Sequence, residues 1–410
     1  MRDKELYAKI LGVESPWRVT QVDLALEKGE VLVHLIHEEK RPSCPECGRP
    51  CSGYDTRPRR WRHLDTCQYR TVLVAQVPRI ECPDHGVLQI RVPWSEPGSR
   101  FTALFEALVI DWLQEASISA VARLLRLDWG EADRIMARAV ARGLARRERS
   151  LPQRIGVDET SFQKRHEYVT VVCDQQQGVV VHVADGRGRD CLDDFYKAFD
   201  EEQRQAVETV AMDMWAAYIG STEQYIPGAE TKIAFDKFHV AQHLSKAVDK
   251  IRRQEHKALV SQGDERLKGS KYLWLQNPDN MSGERWESFE SLREGSLKTA
   301  RAWAIKELAM SLWHYAYRGN ARKAWNRWYS WAIRSQLEPI KQVARMVQRH
   351  LEGIVTAIVR GVTNARSEGI NAKIQWIKYT ARGFRNRERF RNAIYFHLGG
   401  LDLYPDSASR

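Results

Sequence analysis

Five short apolar runs between residues 154 and 235 constrain the fold of this chain more than any other feature of its sequence. The runs are rich in β-branched residues and have the length of ordinary strands. They cover residues 154–158, 167–173, 178–184, 207–212 and 231–235. Residues 188–199 have helical spacing, and residues 244–360 carry long helical patterns without a strand signal. The sequence therefore predicts an α/β core followed by a large helical region.

The order of these elements indicates a particular kind of core. Three successive strands, a helix, and two strands separated by a short helix are the order of a ribonuclease-H-like core. Aspartates lie at the ends of two of the runs: Asp158 in GVDET is the last residue of the first run, and Asp213 in VAMDMW directly follows the fourth. The first and fourth strands of such a core are neighbours, so we expect Asp158 and Asp213 to lie together.

A third acidic residue, Glu368 in NARSEGIN, lies in a segment with helical spacing. Asn364 and Asn371 lie four residues before and three residues after it, on the same helical face. Three converging carboxylates would repel one another without a cation, so the pattern predicts two Mg²⁺ or Mn²⁺ ions per active site. Asp158, Asp213 and Glu368 are the predicted metal ligands and catalytic residues.

Other acidic and polar residues compete for these roles. Glu159 follows Asp158, but strand alternation points it to the other face of the sheet. Asp236 ends the fifth run and is the best substitute for Asp213. His239 and His243 have the HxxxH spacing of helical zinc ligands, but polar packing beneath the site is the preferred interpretation. Trp215 is expected in the core rather than stacked on a base.

The cysteines near the N-terminus predict a structural zinc site. Cys44 and Cys47 form a CxxC pair followed by glycine, and Cys82 and His85 repeat that spacing. These four residues would form a closed tetrahedral site. Three nearby residues remain competing ligands: Cys51, His63 and Cys67.

Basic residues predict two DNA-contacting segments in the first 150 residues. The first is an arginine cluster between the two cysteine pairs, formed by Arg57, Arg59, Arg60 and Arg62. The second is a helix-turn-helix with its turn at residues 126–128, in which Asp128 caps the second helix and Glu131 completes a capping box. On that helix Arg134, Arg138, Arg142 and Arg146 advance in steps of four, a stripe suited to the major groove or a phosphate ridge.

Composition favours a polyanionic partner and a reducing compartment. The net charge of the 410-residue chain is +11, from 64 Lys and Arg against 53 Asp and Glu. Seven cysteines, four of them within residues 44–67, favour metal ligation over a disulfide framework. No signal peptide or uninterrupted apolar span is apparent, so we expect a cytoplasmic protein with no membrane partner.

The predicted architecture is multidomain α/β. An N-terminal zinc-binding β domain covers residues 1–97, and a helix-turn-helix DNA-binding domain covers residues 98–150. The ribonuclease-H-like catalytic core begins at residues 151–243, is interrupted by an all-helical insertion at residues 244–360, and closes with the helices of residues 361–410.

These motifs resemble, in content and order, those of the DDE insertion-sequence transposases of the ISL-three family. The resemblance rests on CPECG, the helix-turn-helix, GVDET, AMDMWAAY, FDKFHV and the segment from NARSEGIN to NRERFRNAI, and it covers nearly the whole chain. The sequence departs from the family at His85, since the family's second pair ends in cysteine. The resemblance implies that Asp158, Asp213 and Glu368 are the DDE triad.

The resemblance also implies an activity: cleavage at the ends of an insertion element and transfer of 3′-ends into target DNA. The partner would be double-stranded DNA, bound by a homodimer or higher oligomer. The basic residues after the glutamate are expected to hold phosphates; they are Lys373, Lys378, Arg382, Arg385 and Arg387. Two alternatives stay open: a ribonuclease-H-like nuclease or resolvase without strand transfer, and a catalytically inactive zinc and helix-turn-helix regulator.

Overall fold

The computed structural model describes residues 3–163, 167–276, 280–295, 297–362 and 365–406. The chain divides into two compact units. Unit 1 comprises Met1–Arg147 and Tyr395–Arg410, and unit 2 comprises Glu148–Ile394. Within the described ranges, no helix has the length and apolar character needed to cross a bilayer.

The first part of unit 1 is a five-stranded sheet. Its elements are α1 Asp3–Ile10, β1 Trp17–Ala25, β2 Glu30–His37, β3 Ser52–Arg62, β4 Arg70–Cys82 and β5 Gly86–Gln89. β1 and β2 form an antiparallel hairpin that turns at Gly29, whose φ of 61° is the left-handed conformation glycine favours. β4 then pairs with β2 in parallel and with β3 and β5 antiparallel.

Three helices complete the N-terminal part of unit 1: α2 Ala103–Glu115, α3 Ile118–Leu125 and α4 Trp129–Arg146. Arg126 has a φ of 53° in the turn between α3 and α4. The backbone N–H of Asp128 donates to Glu131 Oε2 at 3.0 Å, which closes the predicted capping box. The helix-turn-helix prediction from the turn and the cap is confirmed at this level.

The C-terminal segment also belongs to unit 1. Phe396 and Leu403 pack in the same apolar cluster as Phe105 and Ile135 of the helix-turn-helix. This differs from the predicted boundaries, in which all of residues 361–410 close the catalytic core. The physical reason is that the segment after residue 394 buries its apolar side chains against α2 and α4.

Unit 2 contains the predicted α/β core. Its strands are β6 Arg154–Gln163, β7 Glu167–Asp174, β8 Val179–Asp185, β9 Thr209–Met212 and β10 Ile233–Phe235. The spatial order is β10-β9-β6-β7-β8. β6, β7 and β8 are antiparallel neighbours, whereas β9 pairs in parallel with both β6 and β10. All five predicted strands are present, and the first and fourth are adjacent as expected.

Four helices lie among or between these strands: α5 Asp190–Lys197, α6 Glu201–Gln205, α7 Ala216–Tyr225 and α8 Ala229–Lys232. Helices then follow β10 at once: α9 Lys237–Val260, α10 Lys271–Leu275, α11 Gly283–Glu294, α12 Lys298–Ser311, α13 Arg318–Arg334, α14 Glu338–Arg349 and α15 Leu351–Arg360. The last two are α16 Ala365–Thr380 and α17 Arg387–Leu398, the second of which ends in unit 1.

One apolar cluster joins the sheet of unit 2 to the helices after β10. It includes Ile155 and Val157 of β6 together with the fully buried Trp274, Trp325 and Trp328. Most tryptophans of the helical region are core residues, as predicted, because a large aromatic ring gives up much water-exposed area when it is buried. The helical region therefore folds with the sheet as one unit.

Candidate active site and zinc cluster

Asp158 and Asp213 lie side by side on neighbouring parallel strands. Gly156 of β6 is in register with Ala211 of β9, so each aspartate lies two residues beyond a paired position. Asp213 directly follows the end of β9, as the sequence predicts. Asp158 differs from that prediction: it lies inside β6, because β6 continues beside β7 to Gln163 after its pairing with β9 has ended.

The two carboxyl groups have elevated pKa values. Burial raises the pKa of Asp158 to about 6, and the neighbouring Asp213 and Glu159 carboxylates act in the same direction. The backbone N–H of Glu159, which donates to Asp158 Oδ1 at 2.8 Å, opposes that shift. Burial likewise raises the pKa of Asp213, against the opposing charge of His239. Because these buried carboxylates repel one another, they are stabilised by binding either protons or cations.

Helix α16 packs along β6 through one row of polar side chains. Asn371 Nδ2 donates to Asp158 Oδ2 at 2.6 Å, and Gln375 Nε2 donates to Thr160 Oγ1 at 2.9 Å. One turn earlier, Ser367 is buried and its Oγ accepts from Gln175 at 2.6 Å. A Cβ at Gly156 would lie 2.6 Å from that Oγ, so the close approach of helix and strand requires glycine.

This packing places Glu368 in the first turn of α16. It follows the buried Ser367 and precedes Asn371 by three residues, which is less than one helical turn. Its side chain is exposed. Asn364, the other asparagine of the predicted polar face, lies outside the described residues.

The acidic residues form a looser group than the cysteine cluster described below. Among the described residues, only the cysteine cluster has three or more potential metal-binding groups with all ligand atoms within 4.8 Å of one another. A two-ion site does not require such closeness, since its ligands are distributed around two ions about 4 Å apart. The buried Asn371 Oδ1 and Glu159 Oε2 atoms have no hydrogen-bond partner among the described residues. Orphaned oxygens beside two carboxylates fit hydrated Mg²⁺ or Mn²⁺.

The competing residues are close to the site as well. Phe235 is in register with Met212, so Asp236 lies level with Asp213, but it is buried at the start of α9. Burial and the Asp213 charge raise the pKa of Glu159. His239 lowers the pKa of each of Asp158, Asp213 and Glu159. It is therefore a polar group beside the carboxylates, as the sequence suggested.

The cysteine cluster has the dimensions of a tetrahedral zinc site. Cys47 Sγ lies 3.8 Å from Cys82 Sγ, and Cys82 Sγ lies 3.5 Å from His85 Nδ1. Cys44 Sγ lies 3.9 Å from the same nitrogen. A tetrahedron with Zn–S near 2.3 Å and Zn–N near 2.0 Å has edges of about 3.8 Å between sulfurs and about 3.5 Å between sulfur and nitrogen. The distances between Cys44, Cys47, Cys82 and His85 are therefore close to those of a tetrahedral zinc site.

The three competing ligands are not part of that group. His63 is buried and its Nδ1 lies 2.9 Å from Thr102 Oγ1. Cys67 is exposed. Cys51 is buried next to the cluster, but its thiol donates to the Arg49 carbonyl at 3.2 Å. The choice of His85 as the fourth residue of the group agrees with the geometry.

Most arginines of the α4 stripe form ion pairs within unit 1. Arg142 is 8% exposed and pairs with Glu96 and with Glu106, which is only 1% exposed. Arg138 also pairs with Glu106, and Arg146 pairs with Asp402 and Asp406. The sequence predicts phosphate contact for Arg138 and Arg142, but in the structure both pair with the buried Glu106 carboxylate. Of the four arginines of the stripe, Arg134 alone is exposed.

The arginine cluster on β3 also contains both exposed arginines and one that is paired inside unit 1. Arg57, Arg59 and Arg60 are exposed on an edge strand. Arg62 is different: its guanidinium pairs with Asp65 and lies 4.9 Å from the centre of the Phe105 ring. Burial lowers the pKa of Arg62. This arginine connects the sheet to α2 rather than facing solvent.

Basic residues follow Glu368 as predicted, and one of them is anchored. Lys378 donates to the carbonyl and hydroxyl of Ser161 on β6. Lys373, Arg382 and Arg385 are exposed. Trp215 is also exposed, at 37%, which differs from its predicted place in the core. Its indole Nε1 donates to the Arg187 carbonyl at 3.0 Å.

Sequence reasoning missed Arg187, which follows β8. Its guanidinium lies 3.6 Å from Glu159 Oε1 and acts on the pKa of Asp213. No spacing in the sequence signals this residue, since its neighbours come from three separate elements.

The chain matches three sequence models of known protein families. The DDE transposase model of family ISL3, described as a transposase, matches residues 155–394. The chain belongs to this family. The helix-turn-helix domain of transposase family ISL3 matches residues 90–140. The zinc finger of the transposases of IS204, IS1001, IS1096 and IS1165 matches residues 40–85.

Curated relatives extend the similarity over the full chain. The transposase for insertion sequence element IS1557 of Mycobacterium tuberculosis is 29% identical over 422 aligned residues, covering 94% of this chain and 93% of that protein. The transposase for IS1001 of Bordetella parapertussis is 28% identical and covers 100% of both chains. The predicted family resemblance is confirmed, and the chain is an insertion-sequence transposase with zinc-ribbon and helix-turn-helix domains.

Proposed function

We propose that this transposase binds the terminal inverted repeats of its insertion element, cleaves the DNA at the element ends and joins the 3′-ends to target DNA. The observation that carries the proposal is the placement of Asp158 beside Asp213, with α16 fastened to Asp158 through Asn371. Family membership supplies the reaction class, and this geometry supplies the residues.

The strand order supports a ribonuclease-H-like core. In order along the chain, the five strands of unit 2 are arranged 3-2-1-4-5 from one edge to the other, with the first three antiparallel and the last two parallel to the first. Along the chain, the helices from α9 to α15 come after the last strand, β10, and before α16. We infer that they are the insertion that separates Glu368 from the two aspartates.

Asp158, Asp213 and Glu368 would hold two Mg²⁺ or Mn²⁺ ions. When bound, these ions would supply activation of the attacking water or 3′-hydroxyl and stabilisation of the leaving oxygen. Asp158 is fixed by two hydrogen bonds, from Asn371 and from the Glu159 backbone. Rigid carboxylates keep the reacting groups aligned, which is the main contribution a protein makes to phosphoryl transfer.

Exposed basic side chains in both units would bind the DNA backbone. In unit 1 they are Arg57, Arg59, Arg60 and Arg134, and in unit 2 they are Lys373, Arg382 and Arg385. The zinc ion would be structural, since four protein groups complete its coordination and leave no open position. Because two element ends react together, we expect a homodimer or higher oligomer on DNA.

A strand-transfer assay tests the proposal. The purified chain with Mg²⁺ and a duplex bearing the element end should cleave that end and join its 3′-hydroxyl to a second duplex. Asp158→Ala should abolish both steps, by at least about 1000-fold, and leave binding to the duplex intact. Cleavage without joining would indicate a nuclease or resolvase, and binding without chemistry would indicate a regulator.

A matched pair of variants decides the second aspartate. Asp213→Asn should abolish cleavage, whereas Asp236→Asn should retain most of it, since Asp213 is the partly exposed member of the pair. The opposite result would assign the ligand role to Asp236.

A further inference from the structure

Arg187 occupies an unusual position at the edge of the carboxylate site. It lies in the loop between β8 and α5, and its guanidinium lies over two aromatic rings. The carbon of that group is 4.6 Å from the centre of the Tyr168 ring and 4.7 Å from the centre of the Trp215 ring. Two cation–π contacts of this length restrict the positions that the guanidinium can adopt.

Trp215 links this arginine to the loop that carries Asp213. The indole Nε1 donates to the Arg187 carbonyl at 3.0 Å, and the Trp215 backbone N–H donates to Asp213 Oδ1 at 3.1 Å. A single residue thus fixes both the cation and the carboxylate. Arg187 cannot move independently of the site.

The edge of the guanidinium is where further binding can occur. Two aromatic rings already contact the guanidinium carbon, so its N–H groups are the part that can bind a further partner. An arginine has five N–H donors, and one carboxylate, here Glu159, can engage at most two of them. An in-plane set of donors matches the oxygens of a phosphate. The side chain of Arg187 is 38% exposed, so a phosphate can reach it.

The charge balance of the site also favours an anion at this position. The Arg187 guanidinium lies 3.6 Å from Glu159 Oε1, next in the chain to Asp158. Its positive charge therefore acts on the same space as the carboxylates. A DNA strand brought to those carboxylates carries a phosphate every few ångströms, and it needs a cation beside the acidic residues to offset their repulsion.

We propose that Arg187, which contacts Tyr168 and Trp215, binds a backbone phosphate of the DNA strand at or next to the bond that is cut. This inference rests on the proposed function and names a substrate-binding residue outside the acidic triad. The contacts with the two rings and with Glu159 position the guanidinium, and the phosphate aligns the strand with Asp158 and Asp213.

The test combines protein variants with neutral phosphates. Duplexes bearing the element end are made with a single methylphosphonate, which lacks the negative charge, at each phosphate within three nucleotides of the cut. Cleavage rates are measured in Mg²⁺ for the wild-type chain, Arg187→Ala, Arg187→Lys and a control, Arg189→Ala. Arg189 is two residues away in the chain, but its side chain turns to Gln224 and Asp193.

On unmodified DNA we expect Arg187→Ala to cleave about 100-fold more slowly than wild type. Arg187→Lys should recover part of that loss, because lysine restores the charge without the planar set of donors. Arg189→Ala should cleave at close to the wild-type rate. At one phosphate, the methylphosphonate should slow the wild-type chain by a similar factor and have no further effect on Arg187→Ala.

The outcomes separate this inference from the proposed function. If the wild-type chain cleaves and Arg187→Ala cleaves equally well, the phosphate role is overturned and the proposed function stands. If Arg187→Ala is slow but every methylphosphonate affects it as much as it affects wild type, Arg187 only supports the fold of the loop, which also overturns the inference. If the wild-type chain cleaves no end duplex, the proposed function itself fails.

Discussion

Individual residues in this transposase often have a role that their sequence neighbourhood does not indicate. His63 lies among the cysteines and arginines of the zinc ribbon, and spacing alone makes it a potential zinc ligand. The structure buries it at 6% exposure against Thr102. Burial and the nearby Arg62 charge lower the pKa of His63 to about 4. His63 is therefore a buried polar residue of unit 1 that contacts Thr102.

The lowered pKa of His63 predicts a pH dependence of stability. The unfolded chain binds a proton at this residue below about pH 6.5, whereas the folded chain does so only below about pH 4. The contribution of neutral His63 to the free energy of unfolding is therefore fully present above pH 6.5. The free energy of unfolding falls by about 3 kcal/mol as the pH falls through this window. His63→Gln, which can keep a hydrogen bond to Thr102, should lack this part of the pH dependence.

Urea denaturation of both proteins between pH 7 and pH 4 measures the effect. Amide hydrogen exchange of peptides from Arg70–Cys82 restricts the readout to unit 1. Zinc ligands protonate over the same range, but they do so in both proteins, so only the difference between the two curves is used. Parallel curves for the two proteins would show that His63 is not responsible.

At the scale of elements, residue spacing predicts where an element lies more reliably than what its surface contacts. The five strands and the helix-turn-helix were predicted because apolar periodicity and capping residues act locally. The adjacency of Asp158 and Asp213 followed from strand order. The role of Arg142 could not follow, because its partner Glu106 is on another helix, 36 residues earlier. The position of Arg187 depends on three elements and has no local signal.

Helix α4 provides a direct test of the distinction between buried and exposed arginines. Arg142→Ala removes one of the two arginines that pair with the buried Glu106, together with the ion pair to Glu96, which should lower the free energy of unfolding by about 2 kcal/mol. Arg134→Ala removes an exposed side chain and should change stability by less than about 0.5 kcal/mol. The same variant should weaken binding to the element end.

Salt dependence separates the two effects. For Arg134→Ala, the slope of log Kd against log salt concentration should fall by about one in magnitude, the change expected for one lost phosphate contact. Arg142→Ala, measured at a temperature where it remains folded, should keep the wild-type slope. A smaller slope for Arg142→Ala with unchanged stability would restore the phosphate contact predicted from the arginine stripe.

At the scale of the whole molecule, the C-terminal segment belongs to the same compact unit as the N-terminal residues. Unit 1 contains both the first 147 residues and the segment from Tyr395 onward. The apolar residues of that segment, such as Leu401 and Leu403, are visible in the sequence, but nothing in their spacing says which core they join. The structure buries Leu403 at 3% exposure in the apolar cluster of the helix-turn-helix. The DNA-binding unit is therefore complete only when the C-terminal segment is present.

Truncation of the chain should show this dependence. A protein ending at Leu398 loses the buried Leu403, worth about 2 kcal/mol, and the hydrogen bond of 2.6 Å from Tyr404 to Asp111 Oδ1. It also leaves Arg142 and Arg146 without their C-terminal partners. The urea midpoint of unit 1, followed by hydrogen exchange of α4 peptides, should fall, and binding to the element end should weaken with it.

A protein ending at Asp406 is the matched control, since it keeps every contact just named. Its unit 1 should unfold at the wild-type urea concentration. Peptides from β6 and β9 report on unit 2, and their exchange should be the same in both truncated proteins, because residues after Ile394 are outside that unit. Loss of protection in β6 and β9 with α4 unchanged would mean that the segment supports unit 2, which is what the domain boundary predicted from the sequence at residues 361–410 requires.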